Sequence, residues 1–258
     1  MEHQPIFRGV AVALVTLFRP DGELDAPATA ELAGRLVDLG VAAVLVAGTT
    51  GEAAALELPE RQELLAAVRE VLPPSRGVPL IAGTGAASAR QAALFTQAAR
   101  DGGADAVLAL SPPHTTDYGP YYEAVAKAAG DLPVLAYNFP KASPPGIPVS
   151  ALEGLAVSGL KDSSGDADRL MLELSTWDRP VYMGSASLVA MSGLLGCPGA
   201  ILALANAEPE ACVAAFGGDA AAQLKLAEAN QAASAKFPAG VKELVARRFG
   251  YLATARMG

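Results

Sequence analysis

Eight short apolar runs recur along the chain, at residues 10–17, 43–47, 79–82, 105–110, 133–137, 157–160, 181–183 and 200–204. Each is too short for an ordinary helix and is bounded by turn-forming residues, as buried strands are. Helical patterns lie between most of them, at 27–39, 60–71, 89–100, 120–129, 164–176 and 187–195. Leu32, Leu36 and Leu39 repeat at helical spacing, Pro59 suits a first helical turn, and Ser88 can cap the helix starting at residue 89. Strands alternating with helices argue for a parallel sheet with crossover helices. Eight strands close a (β/α)8 barrel, and about 250 residues is its usual size. The alternative is an open doubly wound sheet, which carries a glycine-rich phosphate turn after its first strand. The run Phe18-Arg19-Pro20-Asp21-Gly22 is not such a turn. The expectation is therefore an α/β protein, a TIM barrel over residues 1–206, with a small C-terminal helical appendage over 207–258. Helices are expected there at 208–216, 220–233 and 241–251, broken at Gly217-Gly218 and Pro238.

The bulk properties narrow the function classes. A net charge of −8 argues against nucleic acid and anionic membranes as partners. Cys197 and Cys212 are too few for a disulfide framework and read as core residues of a reducing compartment. His3 and His114 are far apart and lack a clustered carboxylate set, so no metal site is expected. The apolar run after Arg8 reads as a buried strand and not a signal peptide, and no stretch reaches the roughly 18 apolar residues of a membrane helix. These features together suggest a cytoplasmic protein.

In a barrel the site forms at the C-terminal ends of the strands, and four sequence features fall there. The first is Lys161, which ends the apolar run 157–160. The other five lysines, Lys127, Lys141, Lys225, Lys236 and Lys242, lie in stretches that read as helix surfaces or loops. Burial would lower the Lys161 pKa and free its lone pair for attack on a carbonyl. The alternative is a solvated, inert lysine just clear of the strand. The second is Gly48-Thr49-Thr50-Gly51-Glu52, after the second run. Its backbone N–H groups and two hydroxyls suit an anion such as a carboxylate, although an ordinary turn would look the same. The third is Tyr137, at the head of Tyr137-Asn138-Phe139-Pro140, which is either a proton carrier or a packing residue. The fourth is Gly184-Ser185, with Gly199-Ala200-Ile201 on the next strand, where glycine lets a ligand approach the backbone.

In order and spacing these runs resemble the dihydrodipicolinate synthase and N-acetylneuraminate lyase family of class I, Schiff-base aldolases. The Gly-Thr-Thr-Gly-Glu, Tyr-Asn-x-Pro and Gly159-Leu160-Lys161-Asp162 runs carry the resemblance, together with Gly196-Cys197-Pro198-Gly199-Ala200-Ile201 and Ala205-Asn206. It spans nearly the whole chain, from Phe7 to about Tyr251. It implies a TIM barrel without metal or organic cofactor, and a homotetramer built from tight dimers. It implies an imine between pyruvate and Lys161. Gly48, Thr49 and Thr50 would hold the pyruvate carboxylate, with Thr50 and Tyr137 in the proton path. Gly184 and Ile201 would line the pocket through their carbonyls.

Three departures from the family pattern bear on the second substrate. Ala142 stands where the synthase branch carries an arginine for its aldehyde's carboxylate, and neighbouring Lys141 offers a point charge in place of a planar fork. His114 stands where the family has a relay tyrosine that reaches the neighbouring subunit; in this shortened loop Tyr118 is the other candidate, and a solvated His114 is the plain alternative. Ser185 and Ala186 stand where sugar-acid lyases often carry an acidic residue. The C-terminus is also shorter than the family's usual one. The leading expectation is a pyruvate-dependent lyase or aldolase acting on a 2-oxo acid, such as a 2-keto-3-deoxy sugar acid. The alternatives are the synthase of lysine biosynthesis with a variant carboxylate anchor, and a non-catalytic keto-acid-binding protein.

Overall fold

A computed structural model describes residues 4–257, so His3 lies outside the described residues. Eight parallel strands close into a barrel in sequence order. They are β1 (Gly9–Ala13), β2 (Ala43–Val46), β3 (Leu80–Gly83), β4 (Ala106–Leu110), β5 (Val134–Asn138), β6 (Gly159–Asp162), β7 (Val181–Met183) and β8 (Gly199–Leu202). β8 pairs with β1, with Ile201 opposite Ala11, which closes the ring.

Successive strand residues point to opposite faces, and the core accordingly divides in two. Val10, Val12, Val44 and Val46 pack outward against the helices. Ala11, Ala13, Leu45, Ile81, Leu108, Leu135, Tyr137 and Ile201 fill the interior. Phe7 and Tyr182 stack inside the barrel with ring centroids 4.7 Å apart, and the Tyr182 hydroxyl accepts from the Ile6 N–H at 2.8 Å. Small alanines on β1 and β2 offset these large rings, as close packing of a barrel interior requires.

The helices are α1 (Ala26–Asp38), α2 (Leu58–Val71), α3 (Ala89–Asp101), α4 (Gly119–Ala129), α5 (Ala167–Thr176), α6 (Val189–Leu194), α7 (Pro209–Phe216), α8 (Ala220–Ala235) and α9 (Ala239–Phe249). Local chemistry sets several starts. Asp25 accepts from the Ala28 N–H, Ser88 from the Gln91 N–H, and Asp219 from the Ala221 and Ala222 N–H groups. A 3-10 helix, Val149–Gly154, stands between β5 and β6 in place of an α-helix. α7 packs on β1 and β8 within the ring of helices, and α8 and α9 follow it. None of the described helices is long and apolar enough to cross a membrane.

Candidate active site

Register places the central pair. Tyr137 on β5 is the Cα partner of Lys161 on β6, so both side chains project inward at one level. Lys161 is 4% exposed, and its Nζ lies 4.3 Å from the centroid of the Tyr137 ring. Burial in this apolar interior pulls its pKa down to about 7. The Tyr137 hydroxyl sits beside those of Ser163 and Thr49. Burial pushes its pKa up to about 12; those two hydroxyls oppose the shift and the Asp162 carboxylate adds to it. An amine that is unprotonated in a substantial fraction at neutral pH therefore faces a phenol that keeps its proton throughout that range.

The strand ends that carry this pair are clamped from behind. Asp162, fully buried, accepts from Asn138 Nδ2 at 2.6 Å, Ser164 Oγ at 2.5 Å and Arg169 Nε at 3.1 Å. Asn138 Oδ1 in turn accepts from the Ile147 N–H at 2.8 Å. Asn138 and Asp162 alternate with the inward pair, so their outward polar grip fixes the direction of Tyr137 and Lys161. Just past β7 the Gly184 N–H donates to Asp162 O at 2.6 Å, and a Cβ at Gly184 would collide with Ser163 Oγ. Only glycine allows this approach.

The turn after β2 is folded on itself. The N–H groups of Gly51, Glu52 and Ala53 donate to Gly48 O, Thr49 O and Gly48 O. The N–H groups of Thr49 and Thr50 are not used in the turn's own bonds. Gly51 packs tightly, since a Cβ there would lie 2.8 Å from Leu14 O. Thr49 and Thr50 line a cavity of about 500 Å³ that also holds Tyr137, Lys161, Gly184 and Ile201. Six residues singled out in the sequence, Thr49, Thr50, Tyr137, Lys161, Gly184 and Ile201, thus meet at one mouth. Gly48 lines an adjoining cavity of about 430 Å³ that shares Thr49, Tyr137 and Ala142 with the first.

His114 is not at this site. It is exposed, at φ +59°, and its N–H donates to Pro144 O at 2.8 Å. Tyr118 is buried, and its hydroxyl donates to Gly146 O at 2.7 Å, so it is held within its own subunit. One lysine differs from its sequence reading. Lys242 is not on a helix surface but is wholly buried, and its Nζ pairs with the buried Glu52 carboxylate. Asn138, Asp162 and Glu52 were within reach of sequence reasoning, since all three stand inside the motifs. Their partners Ile147, Arg169 and Lys242 are set by tertiary structure and carry no local signal.

Fold and mouth together define an enzyme of the class I, Schiff-base lyases and aldolases. Comparison with known proteins resolves the family. The dihydrodipicolinate synthetase family matches residues 6–246. The 4-hydroxy-tetrahydrodipicolinate synthase of Pseudomonas aeruginosa is 36% identical over 229 residues, which cover 83% of this chain and 77% of that one. The crystal structure of KD(P)GA from T. tenax superposes with a TM-score of 0.86 at 28% identity, covering 97% of this chain and 91% of that one. The pyruvate complex of YagE from E. coli K12 gives 0.83 at 27% identity, covering 93% and 88%. The chain belongs to the dihydrodipicolinate synthetase family.

Proposed function

We propose that the protein makes or breaks a carbon–carbon bond next to an imine formed between Lys161 and the C2 carbonyl of pyruvate or a longer 2-oxo acid. The observation that carries this reading is the buried Lys161 amine, at a pKa of about 7, against Tyr137 in a cavity edged by the Thr49–Thr50 turn. Neutral Nζ attacks C2, forming the C–N bond. The carbonyl oxygen gathers protons through Tyr137 and leaves as water. The hydroxyl on C4 gives its proton to Tyr137, which the loss of water left deprotonated, and becomes the aldehyde carbonyl as the C3–C4 bond breaks; the C3–C4 electron pair passes to the iminium, giving an enamine, and protonation of C3 and hydrolysis release pyruvate. Run backwards, the same steps condense pyruvate with an aldehyde. Thr49 and Thr50 hold the carboxylate through hydroxyls and unused N–H groups. The carbonyls of Gly184 and Ile201 border the reacting carbons.

Beyond Lys161 the cavity is edged by Ser164, Ser185, Ser187, Asn230 and Ser234, with Lys141 as its one other charged group and Ala142 where a carboxylate-binding arginine would stand. Hydroxyl and amide groups of this kind suit a polyhydroxylated aldehyde, so a 2-keto-3-deoxy sugar acid is the favoured substrate class. A second reading, the condensation that forms 4-hydroxy-tetrahydrodipicolinate, is favoured by the function named for the P. aeruginosa relative. We further propose a homo-oligomer, in which the exposed His114 reaches the mouth of a neighbouring subunit.

Incubation with pyruvate and borohydride is expected to leave a stable adduct on Lys161, read by mass spectrometry and lost in Lys161→Ala. An unmodified wild-type chain would overturn the imine mechanism. Turnover with glyceraldehyde-type aldehydes above that with aspartate semialdehyde supports the sugar-acid reading, and the reverse order supports the synthase. An adduct with no turnover on any aldehyde would indicate a binding protein.

A further inference from the structure

The motif after β2 ends in a charged residue that the imine chemistry does not use. Glu52 follows Gly51 directly, sits in the left-handed region at φ +55°, and is 0% exposed. Such a conformation is uncommon for a residue with a side chain, and burying a carboxylate without partners is costly. Its partners all come from the far end of the chain. Lys242 Nζ pairs with Oε1, while the N–H groups of Arg256 and Met257 donate to Oε2 at 2.8 and 2.6 Å. Lys242 Nζ also donates to Thr254 O at 2.8 Å. Arg256 binds Glu60 at 2.6 Å and the carbonyls of Gly22 and Ala55 at 2.7 and 2.9 Å. The neighbour of Lys242 on α9, Val241, lines the cavity that holds Lys161.

We infer that Glu52 is a positioning residue, which ties the Thr49–Thr50 turn to α9 and to the strap 254–257 and so fixes the turn's geometry for the substrate carboxylate. Three features favour positioning over mere stability. The carboxylate is one residue from the turn's last glycine. Its ion pair is entirely buried, so its geometry is rigid and its loss is not absorbed by solvent. Within Gly48–Glu52 no other charged side chain is bonded among the described residues, the nearest being Arg61, which donates to Ala53 O one residue beyond the motif. The substrate part of the inference rests on the pyruvate reading, whereas the mechanical part does not.

The test compares Glu52→Gln, Lys242→Met and Arg256→Gln with Arg248→Ala. Arg248 anchors α9 to Ala207 O and Glu210 and does not touch Glu52, so its variant controls for lost stability alone. Two readouts are taken below the unfolding range of every variant: amide exchange over residues 48–53, and the pyruvate concentration that half-saturates borohydride trapping. In Glu52→Gln and Lys242→Met, exchange over 48–53 is expected to quicken and half-saturation to rise about tenfold, with trapping at saturation changed far less. Arg256→Gln, at a partly exposed position, is expected to move both in the same direction by a smaller factor, and it stands in should the buried variants not fold. Arg248→Ala is expected to leave both unchanged. Wild-type exchange over 48–53 in the first three variants would overturn the inference, as would an equal shift of half-saturation in Arg248→Ala. If wild-type protein traps no pyruvate, the imine reading fails, and exchange still decides whether Glu52 holds the turn.

Discussion

An ammonium in an apolar barrel is a liability for folding and an asset for carbonyl chemistry, and both sides can be measured at Lys161. Its pKa is about 7 in the folded chain, against 10.5 for an ordinary lysine. Between these values the unfolded chain holds the proton and the folded chain does not, so stability rises with pH across that window. The penalty is complete below pH 7 and fades as pH climbs toward 10.5. It corresponds to roughly 5 kcal/mol at most. Lys161→Met is therefore expected to be more stable than wild type in urea at pH 7, by a few kcal/mol, and nearly equal to it above pH 10. A variant no more stable at pH 7 would mean the amine is better solvated than its 4% exposure indicates. The same value predicts that imine formation accelerates as pH rises through about 7. No alkaline decline should follow below pH 11, because Tyr137 stays protonated to about 12. Tyr137→Phe is expected to lose about 10²–10⁴ in rate with little change in unfolding midpoint. At this scale the sequence was informative where a residue's position follows from its own strand or from the turn that ends it. Lys161, Tyr137, Thr49 and Thr50 all end in the same cavity. The placement of His114 was not legible, because it is set by a positive φ in an exposed turn.

At the scale of the elements, apolar content marked burial more faithfully than strand pairing. The first apolar run was expected to be a strand through residue 17, yet β1 ends at Ala13 while Val15 and Leu17 stay buried. Beyond Leu14 the chain leaves the ladder: the Val15 N–H donates to Asn206 Oδ1 and the Leu17 N–H to Thr29 Oγ1. Likewise α5 begins at Ala167, not Ser164, because Ser164 turns back onto Asp162 and Asp166 caps the helix. That small cluster decides how β5 and β6 present the reacting pair, and it is predicted to be fragile. Asp162→Ala leaves Asn138 Nδ2 without its acceptor in a buried place and leaves the Arg169 guanidinium with Glu173 as its one remaining carboxyl partner. The expected cost is about 3–5 kcal/mol, measured by urea unfolding. Asn138→Ala, which removes no charge, is expected to cost about 1–3 kcal/mol. Equal costs would show that the Arg169–Asp162 contact contributes nothing of its own.

Across the whole molecule, the contacts that sequence reading could not supply are those that join the two ends. The count of strands is written in the chain, so closure of the barrel could be anticipated; which side chains seal it could not. Asn206 bonds Val15 and Ala13, Glu52 bonds Lys242, and Arg256 bonds Gly22, each pair separated by some 190 residues or more. No local period or propensity encodes pairs at that distance. Those at Glu52 and Lys242 also bind α9 to the turn that forms part of the site, which couples the C-terminal helices to the barrel. Urea unfolding is accordingly expected to show one transition. Emission of Trp177, the single tryptophan, buried at the end of α5, should coincide with far-UV circular dichroism of all the helices. Lys242→Met strands the Glu52 carboxylate without its buried counter-charge and is expected to lower both midpoints together, by a stability loss of about 3–5 kcal/mol. If the dichroism transition instead ran ahead of Trp177, α8 and α9 would be melting from an intact barrel. The ties at Glu52 and Arg256 would then be too weak to make the C-terminus part of the same cooperative unit.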